Sequence, residues 1–127
     1  MSISDKQIES ILSLSGEDRY RHFIKAVIDR EEMWGLYQNG WAMAAADSGQ
    51  AVFPLWPYKE YAELCAVDKW AGYKPRSIPV DDVIEILLPK LEKEHALVGV
   101  FYTPLGKGVT PTMDEFKESL KEEKGRY

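Results

Sequence analysis

Residues 33–58 of the chain are MWGLYQNGWAMAAADSGQAVFPLWPY. Asp47 carries the only charged side chain of this stretch, which also holds three of the chain's four tryptophans. The pair Asn39-Gly40 is the strongest short signal for a β-hairpin, because both residues tolerate the positive φ of a type I′ turn. A second turn is predicted at 47–50, where Asp-Ser-Gly-Gln follows an alanine run. The stretch therefore predicts a β-meander of three strands, Met33–Gln38, Trp41–Ala46 and Ala51–Trp56.

Both faces of the predicted meander are apolar. One face carries Trp41, Met43 and Ala45, and the other carries Ala42, Ala44 and Ala46. A sheet that is covered on one side only alternates more clearly between apolar and polar residues. Either helices cover both faces, or one face meets a partner chain. Pro54 has no backbone N–H, which predicts an edge position or a β-bulge in the third strand.

Helices are predicted on both sides of this block. Ser4 with Gln7 has the spacing of a capping box, which predicts a first helix over about residues 5–13. Ser15 with Asp18 begins a second helix that has a clear apolar stripe. Further helices are predicted to begin at Pro57, at Asp81-Asp82 with a kink or restart at Pro89, and at Thr112 with Glu115. Between them, 71–79 is a turn-rich connection with room for a short extended piece, 97–103 a buried strand and 104–108 a turn.

Length and composition favour one domain. The chain has 127 residues, of which 45% are hydrophobic and 29% are charged. One hydrophobic core usually serves about 100–200 residues. We therefore expect a single α+β domain over residues 1–127, in which a small, mostly antiparallel sheet packs against amphipathic helices.

Charge and targeting signals narrow the function classes. The net charge of −5 argues against nucleic-acid binding, which needs a basic face. The N-terminus lacks the pattern of a signal peptide, and no uncharged run reaches the roughly 20 residues of a membrane-spanning helix. The single cysteine, Cys65, excludes a disulfide framework within the chain. We expect a cytoplasmic protein that binds neither nucleic acid nor membrane.

No group of side chains predicts a catalytic, metal or cofactor site. His22 falls on the polar side of its helix and His95 near a helix C-terminus, so both are interpreted as surface residues. Cys65 lies on an apolar stripe, where a free cysteine is usually a small core residue. Two separate histidines and one cysteine lack the spacing of metal ligands. We therefore predict no catalytic residue, no metal and no cofactor.

The segment Phe53–Lys59, FPLWPYK, is less ordinary than the rest of the chain. It places aromatic side chains and two prolines at a strand-to-helix corner. Such a corner either packs inside the protein or forms a preorganised recognition surface. Under the second interpretation, the candidate binding residues are Trp41, Trp56, Pro57, Tyr58 and Lys59.

Several short motifs resemble a bacterial family described as domain of unknown function 2750. They are Arg19-Tyr20-x-His22-Phe23, Trp34-Gly35-Leu36-Tyr37, Gly40-Trp41-Ala42, Pro54-Leu55-Trp56-Pro57, Tyr61-Ala62 with Cys65-Ala66, and Phe101-x-Thr103-Pro104. The resemblance covers about residues 12–122 and implies no particular activity and no catalytic residue. The order of elements is also similar to that of the N-terminal domain of SseB-like proteins, which supports the fold rather than a function.

Three functions fit these observations. The first is a non-enzymatic cytosolic binding or regulatory protein, of an adaptor or immunity type, that uses the aromatic corner to hold a protein partner. The second is a homo-oligomer that forms through the apolar sheet face. The third is an alternative from another class, a small-ligand binder or enzyme with a pocket near Trp56 and Cys65. We expect the first.

Overall fold

The computed structural model describes residues 4–104 and 106–125, which form an α+β fold as predicted. The helices are α1 (Asp5–Leu12), α2 (Gly16–Arg30), α3 (Lys59–Leu64), α4 (Val80–Asp82), α5 (Leu88–Lys93) and α6 (Met113–Lys124). A 3₁₀ turn spans Asp68–Trp70, and a π-helical turn, Val83–Leu87, joins α4 to α5. The strands are β1 (Glu32–Tyr37), β2 (Ala44–Ala45), β3 (Ala51–Leu55), β4 (Lys74–Pro79) and β5 (Leu97–Val100).

The strands form two small sheets that share one connection. β1 pairs with β4 in an antiparallel sheet, with Glu32 opposite Pro79. The second sheet has the order β2-β3-β5, in which β2 and β3 are antiparallel and β3 and β5 are parallel. Trp34 of β1 and Trp56, directly after β3, exchange backbone hydrogen bonds in both directions. This bridge joins the two sheets.

The prediction of a three-stranded meander is wrong at its first hairpin. The chain does turn at Asn39, where φ is 57°, but the residues that follow form only an isolated bridge between Tyr37 and Trp41. Trp56 occupies the edge of β1 that the second strand would need. Its N–H donates to the Trp34 carbonyl at 2.8 Å, and its carbonyl accepts from the Trp34 N–H at 2.9 Å. A contact between residues far apart in sequence therefore replaces the local pairing.

The second predicted turn is confirmed. The Ala46 N–H donates to the Gln50 carbonyl at 2.9 Å, and β2 pairs with the start of β3. Pro54 lies opposite Gly99 of β5 and beyond the two residues of β3 that β2 pairs. At Pro54, β3 therefore has a neighbouring strand on one side only within the described chain. The missing N–H of Pro54 removes no hydrogen bond from the sheet.

Two strands differ from their predictions. Lys74–Pro79 form a strand of six residues where the sequence predicts a turn-rich connection with room for a short extended piece. Pro75 and Pro79 are tolerated because β4 pairs with β1 alone among the described strands, and edge strands accept residues without an N–H. β5 ends at Val100 rather than at Thr103, because Phe101 adopts a left-handed backbone with φ 64°.

The helix signals are confirmed. Both predicted capping boxes are present, at Ser4 with Gln7 and at Thr112 with Glu115, and the Ser15 side chain accepts from the Asp18 N–H. Pro89 lies in the first turn of α5, directly after the wider π-helical turn. A proline ring clashes with the carbonyl four residues before it, which explains why regular α-helix is interrupted here.

One hydrophobic core lies between the helices and the sheets. Its largest fully buried side chains include Trp56, Phe23, Phe101, Phe116 and Met33. α2 and α6 meet where the rings of Phe23 and Phe116 lie 6.1 Å apart. Within the described part of the chain, no helix has the length and apolar character that crossing a bilayer requires.

Candidate functional site

The candidate residues at the corner are divided between the core and the surface. Trp56 has no exposed surface, and Pro57 is also buried. The Trp56 indole N–H donates to the Tyr102 carbonyl at 2.9 Å, and its ring meets that of Trp70 edge to face at 6.1 Å. A buried ring with a satisfied N–H stabilises the fold and offers a partner nothing to contact. Of the two interpretations of the corner, packing describes Trp56 and Pro57.

Tyr58 and Lys59 lie on the helical side of the corner. The half-buried Tyr58 ring lies 5.1 Å from the Arg30 guanidinium and 6.3 Å from the His22 ring, whereas Lys59 is exposed. The structure therefore attaches Tyr58 to α2. Tyr58 and Lys59 do not line the groove that lies between Trp41 and the helical run 80–93.

Trp41 rests on the surface of β1 over a glycine. A Cβ atom at Gly35 would lie 2.9 Å from the Trp41 ring, so only a residue without a side chain leaves room for the indole. Tyr37 contacts Trp41 edge to face at 5.2 Å, and Phe53 contacts it at 5.4 Å. The Arg76 guanidinium lies 4.5 Å from the Tyr37 ring and 5.9 Å from the Trp41 ring. These four neighbours hold the half-buried indole in one position.

A groove of about 510 Å³, here called the Trp41 groove, lies between this surface and the helical run 80–93. Its apolar lining is Trp41, Met43, Phe53, Ile78, Ile86, Leu87 and Leu91, and its charged lining is Asp82, Lys90 and Glu94. Met43 is 38% exposed and Ile86 is 65% exposed. Two large apolar side chains thus reach solvent beside a groove whose other lining is mostly apolar.

The Trp41 indole differs from its neighbours in its hydrogen bonding. Among the described residues, the Trp34 N–H donates to Glu32 and the Trp56 N–H donates to Tyr102. The Trp41 N–H has no protein acceptor in that part of the chain, yet it is not buried. An amphipathic ring with a free donor at a groove is suited to contact with another molecule.

A second hollow of about 510 Å³ lies beside Cys65. Trp70, Tyr102, Val67 and Lys107 also line it. Cys65 itself is buried, and burial raises the pKa of its thiol to about 11. A nucleophilic cysteine requires a lowered pKa, so this thiol has the properties of a core residue.

A third hollow is lined by acidic groups. It measures about 610 Å³ and lies between the end of α2 and α4. Asp29, Glu31 and Asp81 line it together with Lys124, whose Nζ lies 3.7 Å from the Asp81 carboxylate. Within the described residues, no group of three histidine, cysteine or carboxylate side chains is arranged to hold a metal ion.

A comparison with protein families finds one described as Protein of unknown function (DUF2750), whose model matches residues 20–120. The chain belongs to the DUF2750 family. The match spans most of the sequence and confirms the resemblance that the short motifs indicate. A search of curated proteins finds no match.

In this DUF2750 chain, the recognisable motifs mainly build the fold. Leu55 and Trp56 are fully buried, and Cys65 lies 5% exposed with its Sγ 3.4 Å from the Tyr102 carbonyl. Gly35 instead leaves the space that Trp41 occupies. Gly35 and Trp41 are therefore motif residues that shape the surface beside the core.

The interpretation of His22 as a solvated surface residue is wrong. Its ring is half-buried, 6.3 Å from both Tyr58 and Phe101, and its Nε2 atom is buried with no partner in the described part of the chain. Desolvation lowers the pKa of His22 below its usual value. Periodicity on α2 alone could not show this, because Tyr58 and Phe101 come from distant parts of the sequence.

The sequence patterns did not predict that Ile86, Met43 and Lys90 lie at a surface groove. One signal for Ile86 was present. It lies between Glu85 and Leu87, outside the apolar stripe of its helix, which marks an apolar side chain on the exposed side.

Proposed function

We propose that this DUF2750 protein is a non-enzymatic binding or regulatory protein, of an adaptor or immunity type, that acts in the cytoplasm. Its contact surface is the Trp41 groove, and its partner is a protein chain that presents an apolar surface with charges of both signs around it. This modifies the hypothesis from the sequence, because Trp56 and Pro57 are buried and Trp41 is the candidate tryptophan that a partner can reach.

The observation that supports the proposal is the exposure of Met43 and Ile86 beside Trp41. Large apolar side chains that cluster at the surface of a monomer usually mark an interaction site. Tryptophan in a partly enclosed position is among the residues that contribute most to protein interfaces. The groove combines both properties within one surface.

The β4 edge favours side-chain docking over strand addition. β4 is the outer strand of its sheet among the described residues, and it carries Lys74, Pro75, Arg76 and Pro79. Prolines remove backbone donors, and charged residues on an edge discourage pairing with another strand. A partner is therefore expected to contact the groove rather than extend the sheet.

Site-specific photo-crosslinking tests the proposal in the cells that produce the protein. A benzophenone amino acid replaces Met43 in one variant and Val67 in a control variant, since Val67 is 49% exposed but lies outside the groove. We expect a crosslinked polypeptide at position 43 only, identified by mass spectrometry. When that polypeptide is purified, Ile86→Glu should weaken its binding about ten-fold or more and Val67→Glu should not.

Two results would overturn the proposal. One is a yield of protein adduct at position 43 no higher than at position 67. The other is equal binding of the purified partner by the wild-type protein and by Ile86→Glu. Because Ile86 is 65% exposed, its replacement leaves the fold intact, and circular dichroism checks this.

The hollow beside Cys65 favours the alternative function, a small-ligand binder. Its volume of about 510 Å³ lies within the range of about 300–1,000 Å³ that ligand pockets occupy. A thermal-shift screen of metabolites tests it. A ligand of this hollow should stabilise the wild type and Ile86→Glu but not Val67→Glu, whereas a screen without a stabilising compound counts against it.

A further inference from the structure

We propose that the protein bound in the Trp41 groove is a second copy of this chain, held by a two-fold axis that passes close to Ile86. The inference rests on the proposed function, since it identifies the partner of the same surface. In this dimer, the helical runs 80–93 of the two copies lie antiparallel. Ile86 of each copy is central, and Asp82 of each copy faces Lys90 of the other.

The order of side chains on the groove face supports this arrangement. Asp82, Ile86, Lys90 and Glu94 follow one another at intervals of four residues, and all four line the groove. The first three form a pattern of a negative charge, an exposed apolar residue and a positive charge, and Glu94 lies at the end of the row. A half-turn about Ile86 exchanges the charges of Asp82 and Lys90, so these three positions are complementary to their own copies.

Two neighbouring charges on the same helical run have partners elsewhere in the chain. Asp81 and Glu92 lie on the other side of the run, where they form ion pairs with Lys124 and Lys117 of α6. Asp82 and Lys90 form no ion pair within the described residues, and both are exposed. The charges that face α6 thus have partners in the same chain, and those that face the groove are available to a second copy.

The balance of charge favours a second copy over a strongly charged partner. The whole chain carries −5, so two copies repel each other at long range. The groove lining contains the acidic residues Asp82 and Glu94 and the basic residue Lys90, and Arg76 lies beside Trp41. A surface of mixed sign attracts its own copy at short range despite the overall repulsion.

The surface area that two copies can bury sets the affinity that we expect for the dimer. A stable interface takes about 800 Å² from each partner, roughly a tenth of a small protein's surface. The accessible surface of the chain is 7501 Å², and a tenth of it is about 750 Å². An interface of that size includes the groove and the residues around it. We therefore expect a reversible dimer whose population rises with protein concentration.

Sedimentation equilibrium of the purified chain tests the inference. We expect a mass that approaches twice the 14.5 kDa of one chain at about 100 µM. Ile86→Glu should raise the dissociation constant about 100-fold or more, because it places two carboxylates at the apolar centre. Val67→Glu adds the same charge outside the groove and should leave the mass unchanged.

A charge swap tests the two-fold geometry itself. Asp82→Lys or Lys90→Asp alone creates two like-charge contacts in the dimer and should weaken it about ten-fold. The double variant Asp82→Lys with Lys90→Asp restores both opposite-charge contacts and should recover most of the affinity. A double variant that is weaker than either single variant would overturn the proposed pairing.

Sedimentation and the crosslink from position 43 together distinguish failure of the dimer from failure of the proposed function. A wild-type chain that is monomeric at about 100 µM overturns the second copy as the occupant. If position 43 then crosslinks to a different protein, the proposed function stands with another partner. If position 43 crosslinks to no protein, both proposals fail. A crosslink between two copies of this chain supports the dimer and the groove as a site of protein contact.

Discussion

The corner at Trp56 and the groove at Trp41 contain the same residue type in the same nearly uncharged block, yet the two tryptophans differ in burial and in hydrogen bonding. Trp56 is fully buried and donates its N–H to the Tyr102 carbonyl. Trp41 is half-buried, and its N–H has no protein acceptor in the described part of the chain. The first arrangement stabilises the protein, whereas the second leaves apolar surface and a donor for another molecule.

The comparison shows that aromatic content in the sequence does not by itself mark a binding surface. The two tryptophans differ because different segments of the chain pack around them. Residues from the loop after β5 enclose Trp56, while the groove beside Trp41 is bordered by the exposed side chain of Ile86.

The largest expected contrast between the two regions is in stability. Trp56→Ala removes a buried ring and its hydrogen bond, and should lower the free energy of unfolding by about 3–5 kcal/mol. Trp41→Ala removes a half-buried ring and should cost about 1–3 kcal/mol. Urea denaturation followed by circular dichroism measures both. Equal losses for the two variants would contradict the distinction between a structural and a surface tryptophan.

The position of Trp41 depends on Gly35. Gly35→Ala places a methyl group 2.9 Å from the indole ring, so the ring must move, at a cost of about 1–3 kcal/mol. Gly106→Ala is the matched control, because no atom lies within 4 Å of the added methyl group. We expect Gly35→Ala to shift the tryptophan fluorescence and lower the unfolding midpoint, and the control to change neither. An unaltered midpoint for Gly35→Ala would show that the ring is not confined.

Local signals in the sequence predicted the helices well. The side chains of Ser4, Ser15 and Thr112 each accept the backbone N–H that their spacing indicates. Pro89 interrupts its helix as expected. These features depend on residues three or four positions apart, which a single sequence displays directly.

The sheets and the groove were less predictable because they depend on distant residues. The bridge between Trp34 and Trp56 replaced the hairpin that Asn39-Gly40 indicated. The Trp41 groove combines residues 41–53 with the helical run 80–93, and His22 is covered by rings from two other segments. Contacts between segments that are distant in sequence depend on packing across the whole chain rather than on local periodicity.

The core around Cys65 should also lose stability in alkali. Burial raises the pKa of Cys65 from its usual 9.0 to about 11, so the folded chain keeps a proton that the unfolded chain releases. This stabilisation is complete below pH 9 and is lost as the pH rises to 11. It is of order 1 kcal/mol. Unfolding midpoints from pH 8 to pH 11 should fall less steeply for Cys65→Ala. An identical pH dependence for both proteins would contradict a protonated, buried thiol.

The smallest expected effect concerns His22 in mild acid. Desolvation lowers the pKa of this histidine, so the folded chain favours the neutral ring. Its contribution to stability is present above pH 6.5 and is lost as the pH falls through the lowered value. Thermal melts between pH 7.5 and pH 5.5 should show a slightly weaker pH dependence for His22→Phe than for the wild type. A steeper dependence for the variant would show that the charged ring is favoured.

The central proposal is that proteins contact this chain at the Trp41 groove and not at the hollow beside Cys65. Photo-crosslinking from position 43, compared with position 67 in the same cells, tests it most directly. We predict an identified polypeptide adduct at position 43 and none at position 67. An adduct that forms equally at both positions, or at position 67 alone, would contradict the claim.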